Sequence, residues 1–338
     1  MENNNIDQSN LRQVILDSAD QFKKGLALAK DIKIKGDFKS IMISGMGGSA
    51  LPGNILRIYL NDLFKKSDSH KRLAVYQNRF YSLPPEAYDN CLNFICSYSG
   101  NTEETISSFR KALKNNLPCV GISSGGKVEE ICRENNVPHI KFPAGIQPRM
   151  ATGYFFASIF QVLVNSRMIA DKTEELIKLS ESLKEKTAEL ENKGEKIAEK
   201  LVGKTLIIYS SAKFKSLAMI WKIKFNENSK VPAFCNFFPE LNHNEMVGFT
   251  NPQSKFFILM LRDPGDHPQN LKRFEITAKL LQEKGIKNEM IDLEDSNIFY
   301  KIYSTLYLGD WISYYLALEY KQDPTPVEMV EKFKDLLK

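Results

Sequence analysis

The sequence predicts an α/β fold in two units, each a parallel β-sheet flanked by helices. Three observations carry this. Short apolar runs, each closed by a polar or glycine-rich turn and then a helical pattern, recur in both halves of the chain. A Lys/Glu-rich stretch without proline separates the halves. The spacing from one apolar run to the next is roughly 50 residues in each half, a similarity of spacing rather than of residues.

In the first half, Ile41–Ser44 is a strand ending in the turn Gly45-Met46-Gly47-Gly48-Ser49. Leu92–Cys96 is a second strand, followed at once by Ser97-Tyr98-Ser99-Gly100-Asn101-Thr102 and a helical pattern. Cys119–Ser123 is a third, ahead of the helical Val128–Asn135. Residues 171–200 form a long amphipathic or solvated helix. After it come strand Thr205–Ser210, helix Phe214–Lys224, strand Lys255–Met260, helix Leu271–Lys284 and strand Lys287–Leu293. Two helices close the chain, one through Leu306–Tyr320 and one after Asp323-Pro324-Thr325-Pro326, with Pro326 suited to a first helical turn. The domains are therefore expected at 1–168, with an N-terminal helical segment, and at 201–338, joined by a helical connector at 169–200.

Composition excludes several classes of function. The 338 residues are 43% hydrophobic and 26% charged, the balance of a globular protein. The formal charge of +5 is spread thinly, which argues against nucleic acid as a partner. The start of the chain lacks the apolar stretch of a signal peptide, and apolar runs such as Phe256–Leu261 fall far short of the ~20 residues of a membrane span. The five cysteines include no C-x-x-C pair and read as reduced thiols, which points to the cytoplasm.

Parallel sheets bind ligands at the carboxyl ends of their strands, where the two first-half turns lie. A helix N-terminus offers unpaired N–H groups and partial positive charge, small residues admit an anion, and hydroxyls add hydrogen bonds. Gly48, Ser49, Ser97, Ser99 and Thr102 therefore suit a small phosphorylated ligand. Plain N-capping by Ser and Thr accounts for the same residues. No nucleotide P-loop lysine or dinucleotide G-x-G-x-x-G accompanies them. Arg149 sits in a Pro- and Gly-flanked segment, where a surface ion pair is the ordinary reading. Residues 225–245 concentrate Glu227, Pro232, Pro239, Glu240, His243 and Glu245, with His243 read as a loop residue. Zinc spacing is absent there, so no metal is expected. His70 and His267 read as turn residues and His139 as structural.

Five segments in order, SGMGGSALPGN, SYSGNTEET, PRMATGY, FNENSKVPAF with PELNHNE, and DPTPVEMVEKFK, make the chain resemble the bifunctional phosphoglucose/phosphomannose isomerases, built from two sugar isomerase domains. The resemblance implies that Gly48, Ser49, Ser97, Ser99 and Thr102 hold the sugar phosphate. It implies that Glu227 is the base moving a proton between C1 and C2, and that Arg149 stabilises the enediolate. By the same resemblance His243 opens the ring from the neighbouring subunit of a homodimer. Thr325 goes with acceptance of both C2 epimers, and Lys332, or Lys334 beside it, assists ring opening or binds the sugar. The implied activity is interconversion of glucose 6-phosphate and mannose 6-phosphate with fructose 6-phosphate, with no cofactor. The residue types suit it: a carboxylate for carbon-bound protons, a permanent cation for a developing oxyanion, and an imidazole for exchange near neutrality. A non-catalytic sugar-phosphate-binding regulatory protein would use the same serine turns but would need neither Glu227 nor His243.

Overall fold

A computed structural model describes residues 6–65, 72–294 and 296–337; His70 lies outside them. It opens with helices α1 (Leu11–Asp17) and α2 (Gln21–Leu28). Alternating elements follow: β1 (Ser40–Ser44), α3 (Leu51–Lys65), β2 (Ala74–Asn78), β3 (Cys91–Cys96), α4 (Glu103–Lys114), β4 (Cys119–Ser123), α5 (Gly126–Glu134), β5 (His139–Lys141) and α6 (Thr152–Asn165). The long α7 (Thr173–Leu201) precedes β6 (Thr205–Ser211), α8 (Lys215–Glu227), β7 (Ala233–Phe238), β8 (Phe256–Arg262), α9 (Pro268–Glu283), β9 (Lys287–Asp292), α10 (Ile298–Glu319) and α11 (Glu328–Leu336). The chain divides into two compact units, Asp17–Lys184 and the remainder, and the cut falls inside α7. The residues before Asp17 group with the second unit.

The first unit holds a sheet of order β2-β1-β3-β4-β5 and the second one of order β7-β6-β8-β9. Every pairing is parallel. The same wiring thus occurs twice: the first strand of each sheet lies between the second and the third. The sequence spacing noted above links first and third strands, and an edge strand, β2 or β7, intervenes. Those edge strands are only part-buried, whereas β1, β3 and β4 are buried throughout, as parallel strands covered on both faces must be. An edge strand needs no continuous apolar run, and sequence pattern passes over it. β7 in particular runs through the stretch 225–245, where no strand was assigned from sequence.

In the first unit α2 packs on α6 so closely that a Cβ at Gly25 would stand 2.9 Å from the Ala157 Cβ. Gln21 fastens the pair: its Nε2 donates to the Met150 carbonyl at 2.8 Å, and its Oε1 accepts from the Gly153 and Tyr154 amides at 3.2 and 3.3 Å. It thereby caps α6 from outside and fixes the turn before it. In the second unit α1 is capped by the Asp7 carboxylate, which accepts from Leu11 N at 2.7 Å and Arg12 N at 2.9 Å. The Arg12 guanidinium grips Glu191 of α7 through two bonds of 2.7 and 2.9 Å. The closing helix starts at Glu328, so Pro326 precedes it and does not occupy its first turn. Proline restrains the residue before it to extended backbone, which delays the start.

His139 opens β5, and its Nε2 lies 2.8 Å from Ser123 Oγ at the end of β4. Burial lowers its pKa below the ordinary 6.5, with nearby Lys141 adding to the effect and Glu129 opposing it. The unfolded chain therefore takes up a proton that the folded chain refuses. The stability contributed by neutral His139 is fully present above pH 6.5 and is lost as pH falls below it. Thermal melts at about pH 7.5 and about pH 5.5 are expected to show a drop on acidification that His139→Gln makes smaller. An identical drop in that variant would remove His139 as a cause.

Candidate active site

The first unit brings its phosphate-turn candidates together at the ends of β1 and β3. Ser97 Oγ and Thr102 Oγ1 are 2.8 Å apart, and Thr102 N donates to Ser97 Oγ at 3.4 Å. Thr102 occupies the N-cap position of α4, yet its side chain makes no cap bond. Its hydroxyl is turned to Ser97 instead, so plain capping does not describe it. Ser49 Oγ accepts from Tyr98 N at 3.0 Å and ties the β1 turn to the β3 turn. Ser99 is exposed, and its Oγ accepts from Asn101 N at 3.3 Å. The turn after β4 locks in as well: Lys127 N donates to Asn101 Oδ1 at 3.0 Å, and Gly100 takes φ +72° against the Gly125 carbonyl, leaving no room for a side chain.

Arg149 belongs to the same cluster. It lies in the short 3-10 turn Pro148–Met150 and is 1% exposed, which corrects the expectation of a surface loop residue. A guanidinium so enclosed costs free energy unless it is well satisfied, and its Nη1 reaches Gln147 Oε1 at 3.5 Å. Gly48 makes the enclosure possible. A Cβ there would stand 2.4 Å from Arg149 N and from the Pro148 carbonyl carbon, so the β1 turn and the arginine turn touch backbone to backbone.

The second unit assembles another group. Glu227 is the last residue of α8, three residues beyond the helix end expected from sequence, and is half-buried. Lys230, at φ +58°, folds back on it. Its Nζ donates to the carbonyls of Glu227 at 2.6 Å, Asn228 at 3.3 Å and Pro324 at 3.2 Å. One ammonium thus gathers the Glu227 turn and the Asp323–Pro326 segment, with Thr325 half-buried and its amide bonded to Asp323 Oδ1 at 3.0 Å. Sequence reasoning had not singled out Lys230. Its signal lay in the FNENSK motif, which was read for the glutamate alone.

His243 stands elsewhere in this unit. Glu227 precedes β7 and His243 follows it, and a six-residue strand spans about 20 Å. The two residues therefore flank β7, one before its start and the other beyond its end. His243 is exposed in the 3-10 turn Glu240–His243. Its neighbour Glu245 anchors that region by accepting from Tyr209 Oη of β6 at 2.5 Å and from Asn236 of β7. Asn242 adds a bond to Thr277 of α9 at 3.0 Å. Burial and the Glu245 carboxylate push the Tyr209 phenol far above its ordinary pKa, so it remains a donor. Glu240 meanwhile accepts from Asn244 at 2.7 Å. Among the described residues, no three His, Cys, Asp or Glu side chains are grouped to hold a metal ion. His267 caps α9 by accepting from Gln269 N at 3.1 Å.

Lys332 and Lys334 are both exposed on α11, and Lys334 pairs with Glu331 at 2.8 Å. Four of the cysteines are buried and Cys235 is half-buried. Burial pushes the Cys91 thiol up to about 11 and the Cys132 thiol up to about 12. Among the described residues, no helix is long and apolar enough to cross a membrane.

Twofold parallel-sheet wiring, with hydroxyl-lined turns at the strand ends of the first unit, defines an α/β protein of two like-wired units. Residues 190–337 match the family model of the bacterial phospho-glucose isomerase C-terminal SIS domain. The chain is 36% identical over 335 residues, 94% of its length and 96% of the relative's, to a bifunctional phosphoglucose/phosphomannose isomerase of Caldicellulosiruptor bescii. It is 34% identical to the protein of the same description from Aquifex aeolicus, over 92% of this chain and 93% of that one. In fold it is similar to the C-terminal domain of glucosamine-fructose-6-phosphate aminotransferase from Francisella tularensis, with TM-score 0.67 at 18% identity over 93% of this chain and 97% of that one. The chain belongs to the bifunctional phosphoglucose/phosphomannose isomerase family.

Proposed function

We propose that this chain interconverts glucose 6-phosphate and mannose 6-phosphate with fructose 6-phosphate, moving one proton between C1 and C2 through an enediolate. The observation that carries the reading is the joint presence of two built groups in a chain of this family. One is the hydroxyl-lined turn cluster with buried Arg149; the other is the Glu227–Lys230–Thr325 group. In this reading Gly48, Ser49, Ser97, Ser99 and Thr102 take the phosphate dianion, whose binding energy orients the reacting carbons.

Glu227 acts as the base. A C–H beside a carbonyl is weakly acidic, and a half-buried carboxylate at the end of a fastened helix is a base whose position is set in advance. Arg149, enclosed by Gly48 and Gln147, supplies a fixed positive charge for the enediolate oxygen. His243 exchanges the protons of ring opening, assisted by Lys332. In this reading the imidazole serves the Glu227 of a second copy in a homodimer, which the placement of the two residues on either side of β7 supports. The Glu331 pair on Lys334 favours Lys332 for the lysine role. No cofactor has a part in this chemistry, and the cytoplasm, where hexose phosphates are handled, is the compartment it fits.

A coupled assay on each hexose 6-phosphate tests the reading. Turnover of both to fructose 6-phosphate, unchanged by a chelator, is expected. Binding of sugar phosphate without turnover of either would favour a regulatory protein.

A further inference from the structure

The contact between α8 and α10 contains a charge pair that packing alone does not require. Trp221 and Lys224 of α8 and Asn228 at its C-cap form one stripe at helical spacing. Each is fastened to α10. Trp221 Nε1 donates to the Thr305 carbonyl at 3.0 Å, with Gly309 leaving space for the indole. Asn228 Nδ2 donates to Ser313 Oγ at 2.9 Å, and Ser229 Oγ to the Ser313 carbonyl at 2.6 Å. Between them the Lys224 ammonium pairs with the Asp310 carboxylate and also donates to the Leu306 carbonyl at 3.3 Å. Both side chains are almost wholly enclosed, 1% and 5% exposed.

Burying two charges removes each from water, and well-packed apolar residues of like volume commonly serve stability as well or better. A charge pair does differ from an apolar contact in one respect: it fixes direction and register. Glu227 lies one turn beyond Lys224 and directly before Asn228, between two of these ties. A slide or rotation of α8 against α10 would therefore be passed straight to its carboxylate, and an apolar stripe permits such movement more readily.

We propose that the Lys224–Asp310 pair is a positioning device that holds the end of α8 in register and so sets the place of the Glu227 carboxylate for proton abstraction. This rests on the reading of Glu227 as the base. Neither Lys224 nor Asp310 touches substrate in this account; both act through Glu227.

The test replaces the pair by apolar residues in Lys224→Met/Asp310→Leu, and separately lengthens it by one methylene in Asp310→Glu. A displaced base makes hydrogen transfer slower relative to the other steps, and a misplacement of about 1 Å costs up to ~100-fold. Both variants are expected to fold with little change in melting temperature. KM for fructose 6-phosphate should stay within about threefold while kcat falls at least about tenfold. The kinetic isotope effect with C2-deuterated glucose 6-phosphate should rise. A folded double variant with wild-type kcat and isotope effect overturns the proposal. So does failure of both variants to fold, which would make the pair a folding requirement. Glu227→Gln is run alongside: wild-type turnover in that variant overturns the base reading, whereas its inactivity beside a fully active double variant overturns only the positioning role.

Discussion

Glu227→Gln is expected to lower kcat about 10²- to 10⁴-fold, the range supplied by a positioned general base, while fructose 6-phosphate binds within about threefold of wild type. The substitution is nearly isosteric. The bond from Lys230 goes to the backbone carbonyl of residue 227, which glutamine keeps. The ties through Asn228 and Ser229 to Ser313 are untouched. The fold and the phosphate turns therefore remain, and what disappears is the capacity to accept a carbon-bound proton. Calorimetric titration with fructose 6-phosphate and the coupled assay, on the same preparation, separate binding from turnover. Isomerisation at the wild-type rate would remove Glu227 from its role.

Gly48→Ala is expected to be nearly as damaging through a different cause. The added methyl group meets backbone: Arg149 N and the Pro148 carbonyl carbon at 2.4 Å and Arg149 Cα at 2.7 Å. No rotamer change relieves such a contact, so the β1 turn and the arginine turn must separate. Overpacking of this kind costs about 1–3 kcal/mol of stability. The functional loss is larger, because the displaced parts are the backbone beside the phosphate and the support of a buried guanidinium. KM for sugar phosphate is expected to rise at least about tenfold, and kcat to fall with it as Arg149 shifts. Steady-state kinetics together with a thermal melt check this. Unchanged kinetics in a folded Gly48→Ala would show that the closeness of the two turns is irrelevant to the reaction.

What could be read from sequence, and what could not, follows from where each signal resides. The strand Cys119–Ser123 was legible to the residue, since its apolar run is bounded by Pro118 and a Ser/Gly turn and is buried throughout. The turns after β1 and β3 were legible as turns because glycine and hydroxyl residues stand consecutively at a strand end. β2 and β7 were not: edge strands carry mixed, half-exposed side chains, and β7 is hidden between two polar motifs. The end of α8 was placed at Lys224, whereas the helix runs on to Glu227, and Asn228 and Ser229 just beyond it bond to Ser313 of α10. Arg149 read as a surface residue because burial is decided by distant segments, here Gly48 and, through the Met150 carbonyl, Gln21. The Lys224–Asp310 pair spans a sequence separation over which no local pattern operates.

Hydrogen exchange from solvent at the reacting carbon tests the central claim most directly. Wild-type protein incubated with glucose 6-phosphate in deuterated water is expected to introduce deuterium at C2, while Glu227→Gln, saturated with the same sugar, introduces none above background. Label entering C2 equally fast in both proteins would contradict the account, because another group would then be carrying the proton.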